Sequence, residues 1–114
     1  MISNELLKGT LKTIVLNLLV ENKRMYGYEI TREVEKISEG KIMLTWGALY
    51  PTLHKLEADG LIISEAYNIG KRVRKYYRLT PNGEAISRDK VKEFAEFVQI
   101  MGRLIKPAPG LNFS

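Results

Sequence analysis

Apolar residues recur at helical spacing in four stretches of the chain and cluster as strands in three more. Leu7, Leu11, Ile14 and Leu18 follow steps of 4, 3 and 4, which is one face of a helix over residues 5–21. Leu6, Val15, Leu16 and Leu19 widen that face beyond the single stripe of a surface helix, so packing on two sides is expected. A second helix, residues 26–38, turns Ile30, Val34 and Ile37 inward and Glu29, Arg32, Glu33, Glu35 and Lys36 outward. Glu39-Gly40 stops it, glycine being suited to the left-handed position after a helix. Ile42-Met43-Leu44 reads as a small strand, and Thr45 as the N-cap of a third helix ending near residue 59. Leu49, Leu53 and Leu56 form the core face of that helix. Pro51 lies inside it and predicts an irregular first turn.

Residues 61–67 and 74–80 read as paired strands, the second rich in aromatic and bulky side chains. The link between them, residues 68–73, carries a turn signal in Asn68 and Gly70. Tyr76 and Tyr77 face opposite sides of the strand, so at least one is expected in the core. A last helix is expected over residues 84–105. Val91, Phe94, Val98, Met101 and Ile105 follow steps of 3, 4, 3 and 4 along it, a seam two heptads long. The pattern divides the chain into a winged helix-turn-helix unit (1–80), a C-terminal dimerisation helix (81–106) and a flexible tail (107–114).

Composition narrows the chemistry. The 114 residues suit one domain, and 45% hydrophobic with 27% charged residues is the balance of a globular protein. Cysteine is absent, which removes disulfides, thiolate metal sites and thiol catalysis. The single His54 has no partner for a metal site, and no cofactor is implied. No Ser/His/Asp group stands out, and no glycine-rich phosphate loop follows a strand, so an enzyme is not expected. No apolar run approaches the ~20 residues of a membrane helix, and the first residues lack the pattern of a signal peptide. A cytoplasmic protein is the resulting expectation.

Charge changes the picture more. Residues 1–60 hold eight basic and eight acidic side chains and are neutral. Lys71, Arg72, Arg74, Lys75 and Arg78 carry +5 within eight residues, with no acid among them, and the whole chain also carries +5. A concentrated excess of this kind is suited to phosphates. Three helices followed by a hairpin with a basic tip is the winged helix-turn-helix order: the third helix enters the major groove and the wing holds the backbone. The fold class is therefore mainly α with a small β-hairpin.

Tyr26-Gly27-Tyr28-Glu29-Ile30, Gly47-Ala48-Leu49-Tyr50-Pro51-Thr52-Leu53, Leu56-Glu57, Gly60-Leu61-Ile62 and Arg74-Lys75-Tyr76-Tyr77-Arg78-Leu79-Thr80 together resemble the PadR family of transcriptional regulators. The resemblance spans residues 6–83 and fits the members with one short C-terminal helix. It implies a dimeric winged-helix DNA-binding protein, usually a repressor, whose C-terminal and first helices make the dimer. Trp46 departs from the pattern, which more often has a small or polar residue there.

Candidate DNA contacts follow. On the third helix they are Thr45, Trp46, Gly47, Tyr50, His54 and Lys55, with Gly47 allowing close approach of the helix start to a phosphate. Trp46 is either packing or contact, and Tyr50 either packs on the wing or reaches the groove. His54 is either a surface residue or a donor to DNA. Tyr28 either meets a phosphate or joins the core. On the wing, Lys71 and Arg72 occupy the tip, while Arg74 and Lys75 alternate faces, so only one of the two is expected to point at DNA. The candidate dimer interface is Leu7, Leu11, Val91, Phe94, Val98, Met101 and Ile105; Phe94, Phe97 and Met101 are also candidates to line a site for a small aromatic effector. The expected partners are double-stranded DNA and a second copy of the chain, bound at a palindromic operator. The alternative is a winged-helix module for protein or RNA.

Overall fold

The computed structural model describes residues 2–106. Its elements are α1 (Asn4–Lys8), α2 (Leu11–Glu21), β1 (Met25–Tyr26), α3 (Gly27–Ile37), α4 (Trp46–Ala58), β2 (Ile62–Ile69), β3 (Arg72–Leu79) and α5 (Pro81–Leu104). The strands form one antiparallel sheet in the order β1-β3-β2. The fold is thus mainly helical with a small sheet, as expected.

Several boundaries differ from the sequence pattern for local reasons. The expected first helix is two. The Ser3 hydroxyl accepts from the Leu6 N–H at 3.3 Å to start α1, and the Gly9 N–H and the Thr10 hydroxyl both turn back to the Leu7 carbonyl. Gly-Thr is a weak helical pair, and this local bonding breaks the run. Residues 42–44 form no strand. Instead the Ser38 hydroxyl accepts from the Ile42 N–H at 3.0 Å, while half-buried Ile42 and Leu44 pack against the core. Ile37, expected inside, is 64% exposed at the end of α3. β1 has two residues, too few to show alternation; it pairs Met25 with Tyr77 and Tyr26 with Tyr76. α4 is regular from Trp46, and Pro51 leaves only the Gly47 carbonyl without its usual helical donor.

The core joins every layer. Leu16 of α2, Ile30 of α3, Leu49, Leu53 and Leu56 of α4 and Ile62 of β2 are fully buried, with Tyr77 and Leu79 of β3 beside them. Leu11 belongs to this core and Leu7 is also buried, so neither is the free surface that the pattern suggested. The exposed apolar side chains of α1 and α2 are Leu6 and Val20. Of the Tyr76/Tyr77 pair, Tyr77 is core and Tyr76 is half-buried. Burial pushes the Tyr77 phenol above its ordinary pKa.

The hairpin is longer and tighter than expected. Ile69 faces Arg72, so the turn is Gly70-Lys71 alone. Gly70 has φ 62°, and glycine at the first central position of a two-residue turn matches the twist of the strands.

α5 begins at Pro81, three residues earlier than expected, because Thr80 caps it. The Thr80 hydroxyl donates to the Gly60 carbonyl at 2.7 Å and accepts from the Gly83 N–H at 3.0 Å. Gly83 is buried, and a Cβ there would overlap the Leu61 carbonyl. After Ser87 the helix has no buried residue, although it continues to Leu104. Ile105 lies just past its end. The expected tail, residues 107–114, lies outside the described residues.

Gly83→Ala is expected to lower stability by about 1–3 kcal/mol, the range for overpacking a tight contact. Urea unfolding should show a lower midpoint with the same slope. An unchanged midpoint would contradict the contact.

Candidate nucleic-acid interface

A shallow groove of about 360 Å³ separates the N-terminal ends of α3 and α4 from the wing. Tyr28, Trp46 and Tyr50 line its helical side, and Ile69, Arg72, Val73, Arg74 and Lys75 its wing side. Residues far apart in sequence thus share one surface with aromatic groups on one flank and cations on the other.

The helical flank is built on close packing. The Trp46 ring lies where a Cβ on Gly27 would be, so the start of α4 rests directly on the start of α3. The indole is nevertheless 52% exposed, so Trp46 both packs and faces outward. Tyr50 follows one turn later with its ring centroid 5.3 Å from Trp46, and His54 one turn beyond at 6.0 Å from Tyr50. Tyr50 and His54 are exposed. Tyr28 is exposed rather than core, and its hydroxyl accepts from Arg32 Nη1 at 2.9 Å.

Thr45 is exposed and its hydroxyl caps α4, accepting from the Ala48 N–H at 3.2 Å. Gly47 is open, and a Cβ there would meet nothing nearer than Thr45 Oγ1 at 3.9 Å. Lys55 pairs with Asp59 at 3.3 Å, and both remain solvent-facing. Such an exposed pair contributes little to stability and leaves Lys55 free to exchange partners. Thr45, Gly47, His54, Lys55 and Lys71 lie outside the groove wall, whereas Tyr28, Trp46, Tyr50, Arg72, Arg74 and Lys75 form it.

On the wing, Lys71 and Arg72 are exposed at the turn. Arg74 is half-buried with its guanidinium 4.0 Å from the Tyr26 ring centre, while Lys75 is exposed with its ammonium 5.6 Å from the Tyr77 ring centre. Both border the groove despite alternating along β3. Arg78 does not join them; it forms an ion pair with Glu65, which also accepts from the Tyr67 hydroxyl. These bonds hold the Glu65 carboxyl below its usual pKa.

Sequence reasoning missed Arg24. Its guanidinium lies 4.5 Å from the Tyr67 ring centre and 4.7 Å from that of Tyr76. Tyr76 meets the edges of Tyr26 and Tyr67 at 5.3 Å each. The outer face of the sheet is therefore braced by alternating cations and rings. No local pattern marks this, since Arg24 lies between two helical stretches and far in sequence from the basic segment.

A second groove, about 550 Å³ and almost wholly apolar, runs between α1, α2 and α5. Leu6, Leu7, Ile14, Ile42, Val91, Phe94 and Phe97 are among its walls. Phe94 and Phe97 thus line a cavity, whereas Met101 is not part of its wall. Val91, Phe94 and Ile105 of the seam are exposed, and Val98 and Met101 are half-exposed.

The model of the transcriptional regulator PadR-like family matches residues 15–89. The chain is 37% identical over 81 residues to a transcriptional regulator of Mycobacterium tuberculosis, covering 71% of this chain and 72% of that protein. It is similar in structure to a transcriptional regulator from Clostridium thermocellum, with TM-score 0.83, 29% identity and coverage of 93% and 100% of the two chains. A PadR family regulator from Eggerthella lenta has TM-score 0.75 and 32% identity, with coverage of 91% and 88%.

The two glycines of this surface should respond in opposite ways. Gly27→Ala displaces Trp46 and is expected to destabilise by about 1–3 kcal/mol. Gly47→Ala meets open space and should stabilise the free protein by roughly 0.5–1 kcal/mol through helix propensity. Thermal unfolding of both variants checks the pair; equal shifts would contradict the geometry.

Proposed function

The chain belongs to the PadR-like family of transcriptional regulators, a family of DNA-binding regulators rather than enzymes, and on that premise we propose that it is a dimeric repressor acting at a palindromic operator in the cytoplasm. The observation that carries this reading is the shared groove: α4 and the basic wing open onto one side of the molecule. α4 enters the major groove with Trp46, Tyr50 and His54 toward the bases. Arg72, Arg74 and Lys75 hold the flanking phosphates, with Lys71 at the wing tip. Tyr28, Thr45 and Gly47 surround the start of α4 and Lys55 lies in its last turn; these four are backbone contacts. Phosphate contacts position the protein and base contacts specify the sequence.

The second copy is supported by α5. No residue of this helix beyond Ser87 is fully buried in its own chain, and Val91, Phe94, Phe97, Ile100 and Leu104 expose apolar surface along it. Packing this face on a partner removes that surface from water. Leu6, rather than Leu7 and Leu11, is the contribution of the first helices. A two-fold pair places two α4 helices on half-sites about 34–36 Å apart. The apolar groove beside Phe94 and Phe97 is continuous with this face, and a flat aromatic effector bound there releases the operator by altering the pairing.

No helix among the described residues is long and apolar enough to cross a membrane, and the surface described here suits DNA.

Selection of bound sites from random duplex DNA should return an inverted repeat; recovery of asymmetric sites would contradict the dimer. Lys71→Ala with Arg72→Ala should weaken binding to all sequences alike and reduce the salt slope by about one unit per lost phosphate contact. An unchanged slope would remove the wing from the interface. Val98→Glu with Met101→Glu should shift sedimentation from two chains to one; a mass unchanged from the parent protein would place the pairing surface elsewhere.

A further inference from the structure

Three rings stand in file along the open side of α4. Trp46, Tyr50 and His54 are each one helical turn apart, with centroids separated by 5.3 and 6.0 Å. Nothing among the described residues covers them: Trp46 is 52% and Tyr50 45% exposed. A file of exposed rings is unfavourable in water unless something else covers it.

The same side of α4 lacks the groups that read purines by paired hydrogen bonds. From Thr45 to Lys55 there is no Arg, Asn or Gln, and the one cation, Lys55, sits in the last turn of α4, beyond Trp46 and Tyr50, where it is assigned to the DNA backbone. Guanine is most often read by Arg or Lys, adenine by Asn or Gln, and the C5 methyl group of thymine by apolar contact. An indole and a phenol match the last of these. Their placement is also preset, because Trp46 is seated on Gly27 and Tyr50 lies against Trp46. The phosphates are left to the cations across the groove, Arg72, Arg74 and Lys75.

We infer that Trp46 and Tyr50 read thymine methyl groups in the major groove, so that thymines facing these two rings specify the preferred duplex. The inference rests on the DNA-binding reading above and deepens it. Hydrogen bonding alone would leave a thymine and a uracil indistinguishable at these positions. Apolar contact distinguishes them.

The test uses the full chain and the tightest duplex recovered from random DNA, remade with deoxyuridine at each thymidine in turn. Deoxyuridine keeps every hydrogen-bonding group of thymidine and removes only the methyl. Binding should weaken about fourfold at each thymine that meets a ring, the loss expected for one buried methyl-sized group. That sensitivity should disappear at the corresponding base in Trp46→Ala or Tyr50→Ala. Sensitivity that persists in both variants assigns the methyl to another residue and overturns the inference. Unchanged binding of the parent protein at every deoxyuridine position also overturns it, while leaving DNA binding intact, as rings packed only on sugars would behave. Failure to recover any duplex overturns both readings and points to a protein partner for the aromatic file. The parent-protein arm changes only the DNA, so it stands even if a variant does not fold.

Discussion

The first turn of α5 rests against the backbone of Leu61, with no space for a side chain at Gly83. The rest of the molecule's functional geometry depends on that contact. The Thr80 hydroxyl ties the same turn to the carbonyls of Gly60 and Leu61, immediately before β2 begins at Ile62. The base of the wing and the base of α5 are therefore one piece of structure. A tilt of α5 has to move Leu61, and with it the strand that leads to the wing tip. In a pair of chains joined through α5, this joint sets how far apart two wings and two α4 helices stand.

The opposite end of the domain divides its work between charge and shape. The wing holds the concentrated positive charge and is braced by Arg24 between Tyr67 and Tyr76, while Arg74, at the groove edge, lies over Tyr26. These contacts stiffen a two-stranded extension that would otherwise be marginal in water. α4 presents rings and an open glycine instead of cations. In the proposed complex, affinity from the wing is screened by salt, whereas ring contacts with base edges respond to sequence. One groove brings these two terms together.

Helical periodicity made the core legible: Leu49, Leu53 and Leu56 are all buried where spacing put them, as are Ile30 and Val34. The basic segment was legible because charge is local in sequence. What escaped depends on contacts between distant residues or on a few local bonds. β1 is two residues long and exists through pairing with β3. The break at Gly9-Thr10 lies inside an unbroken apolar pattern. Leu7 and Leu11 looked free because the pattern shows only that a face is apolar, not which element covers it. Trp46 was undecided between packing and exposure, and it does both, since its ring is seated on Gly27 from the preceding helix.

In the proposed complex α4 and the wing form one DNA-facing surface. Titrating an isotopically labelled protein with its selected duplex, and following backbone amide and indole N–H resonances, tests it most directly. The Trp46 indole, the amides around Tyr50 and those of residues 70–75 should shift together at one stoichiometry. Shifts confined to α5, or to only one of the two flanks of the groove, would contradict it.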